Sequence, residues 1–500
     1  MKDGKVAIRR LATGVPGLDA ILGGGLPEYS FNLVSGPPGC GKTTLAHQIM
    51  FTLANAGRPA IYFTAMGEPP LKMLRYQQQF GFFDPGKLAQ FIRYVHVADE
   101  MATGDFEQVL ARMTHEVEAY GAGLVFVDSF RSIMLEAPAH DGGGISAQQF
   151  VQLLGTHLAS WQATSFMVGE YHLDREILGH PIFTVADGLL ALEQNVHRNS
   201  MVRKIQILKM RGQATLPGVH SMRITDAGIE VFPSALVRDD AGVPATQVRP
   251  ARATSRLATG VPRLDEMLGG GLPAGYSLLV AGPSGSGKTI LATQFLAEGV
   301  ARGEPGVMVA FEQTPSQSLN PTIDDLVRAG KIGLINTRSP DLSIDEIAQN
   351  LIRRIDAIQA SRVVIDSLSG FELAVAPSFR EDFRESIFRM VAALSGLGVT
   401  VLMTSELEDR YTDLRFSSYG SAFLTDAIIV QRYIEVDSQF KRVLAVVKVR
   451  GSHHSADIRE YTIRDGQIDI DERVQDFDGI LSGHPMHRTE DGANHRALPT

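Results

Sequence analysis

One cysteine, Cys40, is all the thiol this chain contains. No intrachain disulfide is possible, so packing and hydrogen bonds must hold the fold, as suits a reducing compartment. Long apolar runs are missing too: no stretch approaches the roughly 20 residues of a membrane span. The opening MKDGKVAIRR has no apolar targeting segment. These absences make a cytoplasmic protein without a membrane partner the expectation. A basic surplus is also lacking, since 47 Lys and Arg stand against 56 Asp and Glu, a net charge of −9. That balance argues against a nucleic-acid partner and against a DNA recombinase or helicase. The acid is uneven: from Asp465 to the end, three bases meet eight acids, 3 − 8 = −5.

What the chain has instead is repetition. RLATGVPGLDAILGGGLP begins at Arg10 and RLATGVPRLDEMLGGGLP at Arg256; from there to Thr44 and Ile290, 23 of 35 positions are identical without a gap. A period of 246 residues is a duplicated domain, not a solenoid unit. The likeness continues in LVFVDS (124–129) against VVIDS (363–367), and in ILKMRG (207–212) against VVKVRG (446–451). The expected organisation is a first domain over 1–232, a Pro- and Ala-rich linker over 233–255, a second domain over 256–472, and an acidic, mostly disordered tail over 473–500. Each copy alternates short β-branched runs with helical patterns: SFNLVSG, then KTTLAHQIMFTLANAG, then AIYFTA; and YSLLVAG, KTILATQFLAEGVARG, GVMVAFE. Buried strands alternating with helices give an α/β class, a mostly parallel central sheet flanked by helices.

Gly36-Pro-Pro-Gly39-Cys40-Gly41-Lys42-Thr43 and Gly282-Pro-Ser-Gly285-Ser286-Gly287-Lys288-Thr289 both fit G-x-x-x-x-G-K-[ST] between a predicted strand and a predicted helix. The glycines let backbone N–H groups curl around one point, and the following helix aims its positive end there. Lys42 and Lys288 would reach the β- and γ-phosphates; Thr43 and Thr289 would hold Mg²⁺; Thr44 and Ile290 close each loop. Asp128 and Asp366 end hydrophobic strands, where a carboxylate can orient a magnesium-bound water. Cys40 has Ser286 as its counterpart, which favours a small filler over a reactive thiol. Glu170 and Glu406 end matching strands as terminal-phosphate sensors or helix caps. His453 and His454 are adjacent and read as surface histidines, and Trp161 reads as core packing.

TGVPGLD…LGGGLP before each phosphate loop, the acids after strands, FEQTP, and TDAIIVQRYIE…VKVRGSHHSADIREYTI (425–463) closely resemble the KaiC family of double-domain ATPases, of the RecA-like P-loop superfamily. The resemblance spans both copies. It implies two tandem RecA-like domains, ATP as the nucleotide, a homohexamer with nucleotide between subunits, and a protein partner for signalling that the residues do not name. In the family, a pair of acids after the second strand places the nucleophile near the γ-phosphate. The second copy keeps Glu312 there, followed by Gln313; the first has Met66 and Gly67. A thioether cannot act as a base. Glu68 is the remaining acid nearby, and facing solvent before Pro69 and Pro70 is its simpler reading. The expectation is that the second domain hydrolyses ATP and the first chiefly binds it. Lys209 with Arg211, and Lys448 with Arg450, match family residues that reach a neighbour's γ-phosphate. Clock-type members phosphorylate a Ser-Thr pair just before the Thr-Asp of this region; Ala422 and Phe423 stand there, and neither accepts phosphate. A serine/threonine autokinase or phosphatase would have to use Ser417, Ser418 or Ser421, which FSSYGS presents most simply as turn residues.

Overall fold

The computed structural model describes residues 8–64, 70–102, 105–135, 146–171, 181–197, 200–234, 255–311, 321–336, 342–375, 379–380, 383–407, 425–436, 438–474, 477–478 and 486–487. The chain divides into two compact units, Met1–Val237 and Arg238–Thr500. No helix among the described residues is long and apolar enough to cross a membrane.

The first unit is built on nine strands: β1 (Phe31–Ser35), β2 (Ala60–Thr64), β3 (Ile92–His96), β4 (Leu124–Asp128), β5 (Thr164–Gly169), β6 (Gly188–His197), β7 (Ser200–Met210), β8 (Val219–Thr225) and β9 (Gly228–Phe232). They lie in the order β9-β8-β7-β6-β1-β5-β4-β2-β3. The six strands from β6 to β3 are parallel, and β6 to β9 form an antiparallel meander. The run FNLVS is buried at every position, as a strand covered on both faces must be. Side-chain alternation splits the core in two. Tyr62, Phe126, Phe166 and Val168 pack under helix α1 (Lys42–Leu53), with Leu45, Ile49 and Ile229. Ile61, Phe63, Val125 and Met167 pack under α2 (Phe106–Tyr120) and α3 (Ala147–Ser160), against Met113, Phe150 and Leu154. Asp105 caps α2 and Ser146 opens α3 with a capping box, which fixes where each begins. Trp161 is half-buried against the second of these clusters.

The second unit repeats the plan. Its strands are β10 (Ser277–Gly282), β11 (Gly306–Ala310), β12 (Ile332–Asn336), β13 (Arg362–Asp366), β14 (Thr400–Glu406), β15 (Ala427–Val436), β16 (Gln439–Val449), β17 (Ile458–Arg464) and β18 (Gln467–Arg473). Their order, β12-β11-β13-β14-β10-β15-β16-β17-β18, is that of the first sheet read from the other edge. Helix α4 (Lys288–Ala301) covers one face; α5 (Ile344–Ile358) and α6 (Phe383–Gly396) cover the other. His453 and His454 lie between β16 and β17, outside any strand. Beyond β18, Phe477–Asp478 pairs antiparallel with Met486–His487.

A buried charge at one core position distinguishes the second unit from the first. The first residue of β4 is Leu124; its counterpart on β13 is Arg362, which is fully buried. Its guanidinium donates to the carbonyls of Ala258 and Phe295 at 2.8 and 2.7 Å and to Glu304 at 2.9 Å, and lies 4.5 Å from the Phe295 ring centre. A buried cation truncated away leaves its acceptors bare. Arg362→Ala should therefore cost about 3–5 kcal/mol of unfolding free energy, read from urea denaturation of the full chain. Arg362→Leu, which places the twin's residue, should cost clearly less, because half-exposed Glu304 turns to water while leucine fills the space.

Candidate functional site

Each phosphate loop leaves the carboxyl end of the central strand and enters a helix. Gly36 has φ 152°, and a Cβ there would lie 2.2 Å from the Leu192 carbonyl oxygen, so only glycine fits. Gly41 and Gly287, at φ 104° and 96°, are the residues from which α1 and α4 start. No side chain caps either helix, so the first-turn N–H groups point into the loop, an anion-binding arrangement. Lys42 donates to the carbonyls of Gly36 and Pro37 at 2.9 and 2.8 Å; Lys288 donates to those of Gly282 and Pro283 at the same distances. Both ammoniums are thus held over the loop. Gly39 and Gly285 lie at the exposed crest, while Cys40 and Ser286 are buried beneath it. Burial pushes the Cys40 thiol up despite nearby Lys42, as fits a filler rather than a nucleophile. Thr44 and Ile290 sit half-buried in the first helical turn.

The strand-end acids meet these loops. Thr43 Oγ1 donates to Asp128 Oδ2 at 2.7 Å, and Thr289 Oγ1 to Asp366 Oδ2 at 2.8 Å. Each pair joins the head of a helix to the end of a strand two places away in the sheet. Among the described residues no three His, Cys, Asp or Glu side chains converge as a metal cluster. The hydroxyl–carboxylate pairs are hard oxygen donors few in number, which fits an ion such as Mg²⁺ that keeps waters and takes phosphate oxygens. Glu170 and Glu406 are exposed at the ends of β5 and β14, and Glu406 is in register with Gly282 of the loop.

A second hydroxyl bonds to each acid, and sequence reasoning missed both. The Tyr62 phenol donates to Asp128 Oδ2 at 2.9 Å; Thr404 Oγ1 donates to Asp366 Oδ1. Burial, and then the Asp128 charge, hold the Tyr62 phenol well above its ordinary range, so it stays a donor. Behind Tyr62 stand His47, its ring centre 4.5 Å away, and Tyr94, 5.2 Å away. His47 Nδ1 lies 2.7 Å from the Thr43 carbonyl, which places the proton on Nδ1. A phenol within the otherwise apolar AIYF was the available signal.

The Lys-x-Arg pairs lie elsewhere. Lys209 is in register with Leu189, which pairs with Leu33 of β1. Leu33 is three residues, roughly 10 Å of strand, short of the loop that begins at Gly36. Lys209 and Arg211 both donate to the Thr184 carbonyl, at 3.1 and 3.2 Å, and Arg211 pairs with Asp187. Lys448 donates to the Thr425 carbonyl at 2.6 Å and Arg450 pairs with Asp426 at 3.4 Å. Burial first, and then the adjacent arginine, lower both lysine ammoniums from their ordinary range. These cations therefore sit at the end of each sheet opposite its own phosphate loop. Glu312, Gln313, Met66, Gly67 and Glu68 lie outside the described residues, as do Ser417, Ser418, Ser421, Ala422 and Phe423.

The family model for the KaiC ATPase matches residues 11–235 and again 257–475. The chain is similar over nearly its whole length to relatives named circadian clock oscillator protein KaiC or KaiC 1. That of Picosynechococcus sp. is 28% identical over 498 residues, 96% of this chain and 92% of its own length. That of Synechocystis sp. is 28% identical over 504 residues, 97% of this chain and 93% of its own. That of Synechococcus elongatus is 26% identical over 502 residues, again 97% and 93%.

His47 makes the first domain acid-sensitive. Full burial lowers its imidazole to about 4 from 6.5. The unfolded chain therefore binds the extra proton between those values, and stability present above pH 6.5 is lost as pH falls toward 4. His220, buried and shifted the same way, adds to it. The twin of His47 is Thr293. Between pH 7.5 and 5, His47 should account for a loss of about 2 kcal/mol. Urea unfolding at the two pH values should show that loss shrinking by this amount in His47→Thr.

Proposed function

Because the chain belongs to the KaiC family of ATPases, we propose that it binds ATP at both phosphate loops and hydrolyses it with Mg²⁺, mainly in the second domain. The observation that carries this reading is the paired bond from Thr43 to Asp128 and from Thr289 to Asp366, at 2.7 and 2.8 Å, each at the head of a helix that follows a glycine loop. Loop N–H groups would cradle the phosphates, and Lys42 or Lys288 would exchange its two carbonyls for phosphate oxygens. Thr and Asp of each pair would hold the metal and its water. An ion held there would supply positive charge that offsets the charge of the phosphates. The rest is placement: Glu312, with Gln313 beside it, would orient the attacking water and take its proton. The first domain, with Met66 at that place, would bind nucleotide and turn it over slowly.

The Lys209–Arg211 and Lys448–Arg450 pairs support assembly. Each lies at the far end of the sheet from its own loop, so a terminal phosphate they could reach would belong to a neighbouring subunit. A homohexamer with nucleotide at subunit boundaries satisfies that requirement, and charge from a neighbour would stabilise the transition state in trans. The relatives' names place them in a circadian oscillator; by that likeness, nucleotide state here would be passed to a protein partner as a timing or signalling output.

Glu312→Gln should lower ATP turnover of the full chain by about 10²-fold or more, with nucleotide binding retained. Glu68→Gln should leave turnover within about twofold. The opposite pattern, measured as phosphate release, would move hydrolysis to the first domain.

A further inference from the structure

The two repeats have exchanged a hydroxyl between two core positions. Tyr62 on β2 corresponds to Met308 on β11, and Val168 on β5 corresponds to Thr404 on β14. In each domain one of the two positions carries a hydroxyl and the other does not. In each, that hydroxyl is bonded to the carboxylate expected beside the metal. Building on the Mg²⁺-dependent reading above, we propose that Tyr62 and Thr404 are the positioning residues of the two metal sites. They would do the same job from different strands: Tyr62 orients Asp128, and Thr404 orients Asp366.

Several observations converge on this. Tyr62, Met308, Val168 and Thr404 are all essentially unexposed, so neither hydroxyl has water as an alternative. A buried hydroxyl without a bond costs about 1–3 kcal/mol, and the acid supplies the bond in both domains. Packing alone would be served by phenylalanine, which fills the adjoining positions Phe126 and Phe166 of the same cluster. Tyr62 is also clamped between His47, Tyr94 and Phe126, at 4.5, 5.2 and 5.8 Å between ring centres, so its hydroxyl presents one direction. Val168 is in register with Asp128 on the neighbouring strand. Thr404 takes the same lateral place beside Asp366, one step beyond the Ile365–Met403 pair. The two solutions differ in detail: in the first domain the Thr43 and Tyr62 hydroxyls share Oδ2, while in the second the Thr289 and Thr404 hydroxyls take opposite oxygens. Hydrogen bonds to a ligand carboxylate fix its orientation, and losing such a bond typically weakens metal affinity by 10–100-fold.

The test is Mn²⁺ binding to the full, ADP-saturated chain, with free Mn²⁺ counted by electron paramagnetic resonance. Lys288→Ala silences the second loop, so that the first reports; Lys42→Ala does the reverse. In the first background, Tyr62→Phe should weaken Mn²⁺ binding by about tenfold or more. Adding Val168→Thr, which brings in the twin's hydroxyl without restoring the phenol, should return affinity to within about threefold. In the second background, Thr404→Val should weaken binding similarly and Thr404→Ser should not. Should Tyr62→Phe compromise folding, the Thr404→Val and Thr404→Ser pair decides alone. Affinities within twofold of the parents in both Tyr62→Phe and Thr404→Val overturn the proposal, as does a folded double variant in which Val168→Thr restores nothing. Parents that take up no Mn²⁺ with ADP would instead overturn the functional reading itself.

Discussion

A threonine hydroxyl bonded to an aspartate at the end of a strand is the joint on which each domain turns. Thr43 belongs to the first turn of α1 and Asp128 to the last residue of β4, with β5 between that strand and β1. The bond therefore fixes the helix head against the carboxyl edge of the sheet. It also brings uncapped N–H groups, a loop ammonium and a carboxylate to one space. Thr289 and Asp366 do the same in the second unit. Strand order puts that space at the point where the chain leaves the centre of the sheet in opposite directions, the usual location of ligands in open α/β folds.

The two units share this skeleton down to the sequence of strands across the sheet, yet their interiors have diverged. Arg362 brings a buried cation to the start of β13, where the first unit has leucine. His47 puts a neutral imidazole under the first nucleotide loop, where the second has Thr293. Arg362 is tolerated because its guanidinium finds carbonyl and carboxylate partners inside the fold, and His47 keeps one such bond, from Nδ1 to the Thr43 carbonyl. Divergence of this kind leaves the backbone alone and changes the electrostatic environment around a common geometry. Two chemically unequal sites can therefore sit on one architecture.

Much of this was legible from residues alone. Two glycine loops with lysine and threonine, each between a β-branched run and a helical run, specify backbone and chemistry together, because few other residues could make that turn. Asp128 and Asp366 were legible for a similar reason: an acid closing LVFV or RVVI has only a strand end to occupy. The hydroxyls of Tyr62 and Thr404 were not. They belong to strands distant in sequence from the acids they touch, and only the register across the sheet brings them together. Arg362 was hidden likewise: a charged residue opening a strand reads as an edge facing water, and its partners Ala258, Phe295 and Glu304 come from three separate segments. The Lys-x-Arg pairs were recognised as cations with a shared role, but their distance from their own loop follows from strand pairing, which no local pattern encodes.

The exchange between Tyr62 and Thr404 has a genetic corollary. Tandem repeats invite recombination between their own halves, which tends to erase differences segment by segment. A crossover that carried β11 into the first unit without β14 would set Met308 beside Val168 and leave Asp128 with neither hydroxyl of that pair. The reverse crossover would crowd a phenol and a threonine onto one carboxylate. Partial homogenisation is therefore penalised in either direction, so the halves of this gene are expected to keep their separate histories.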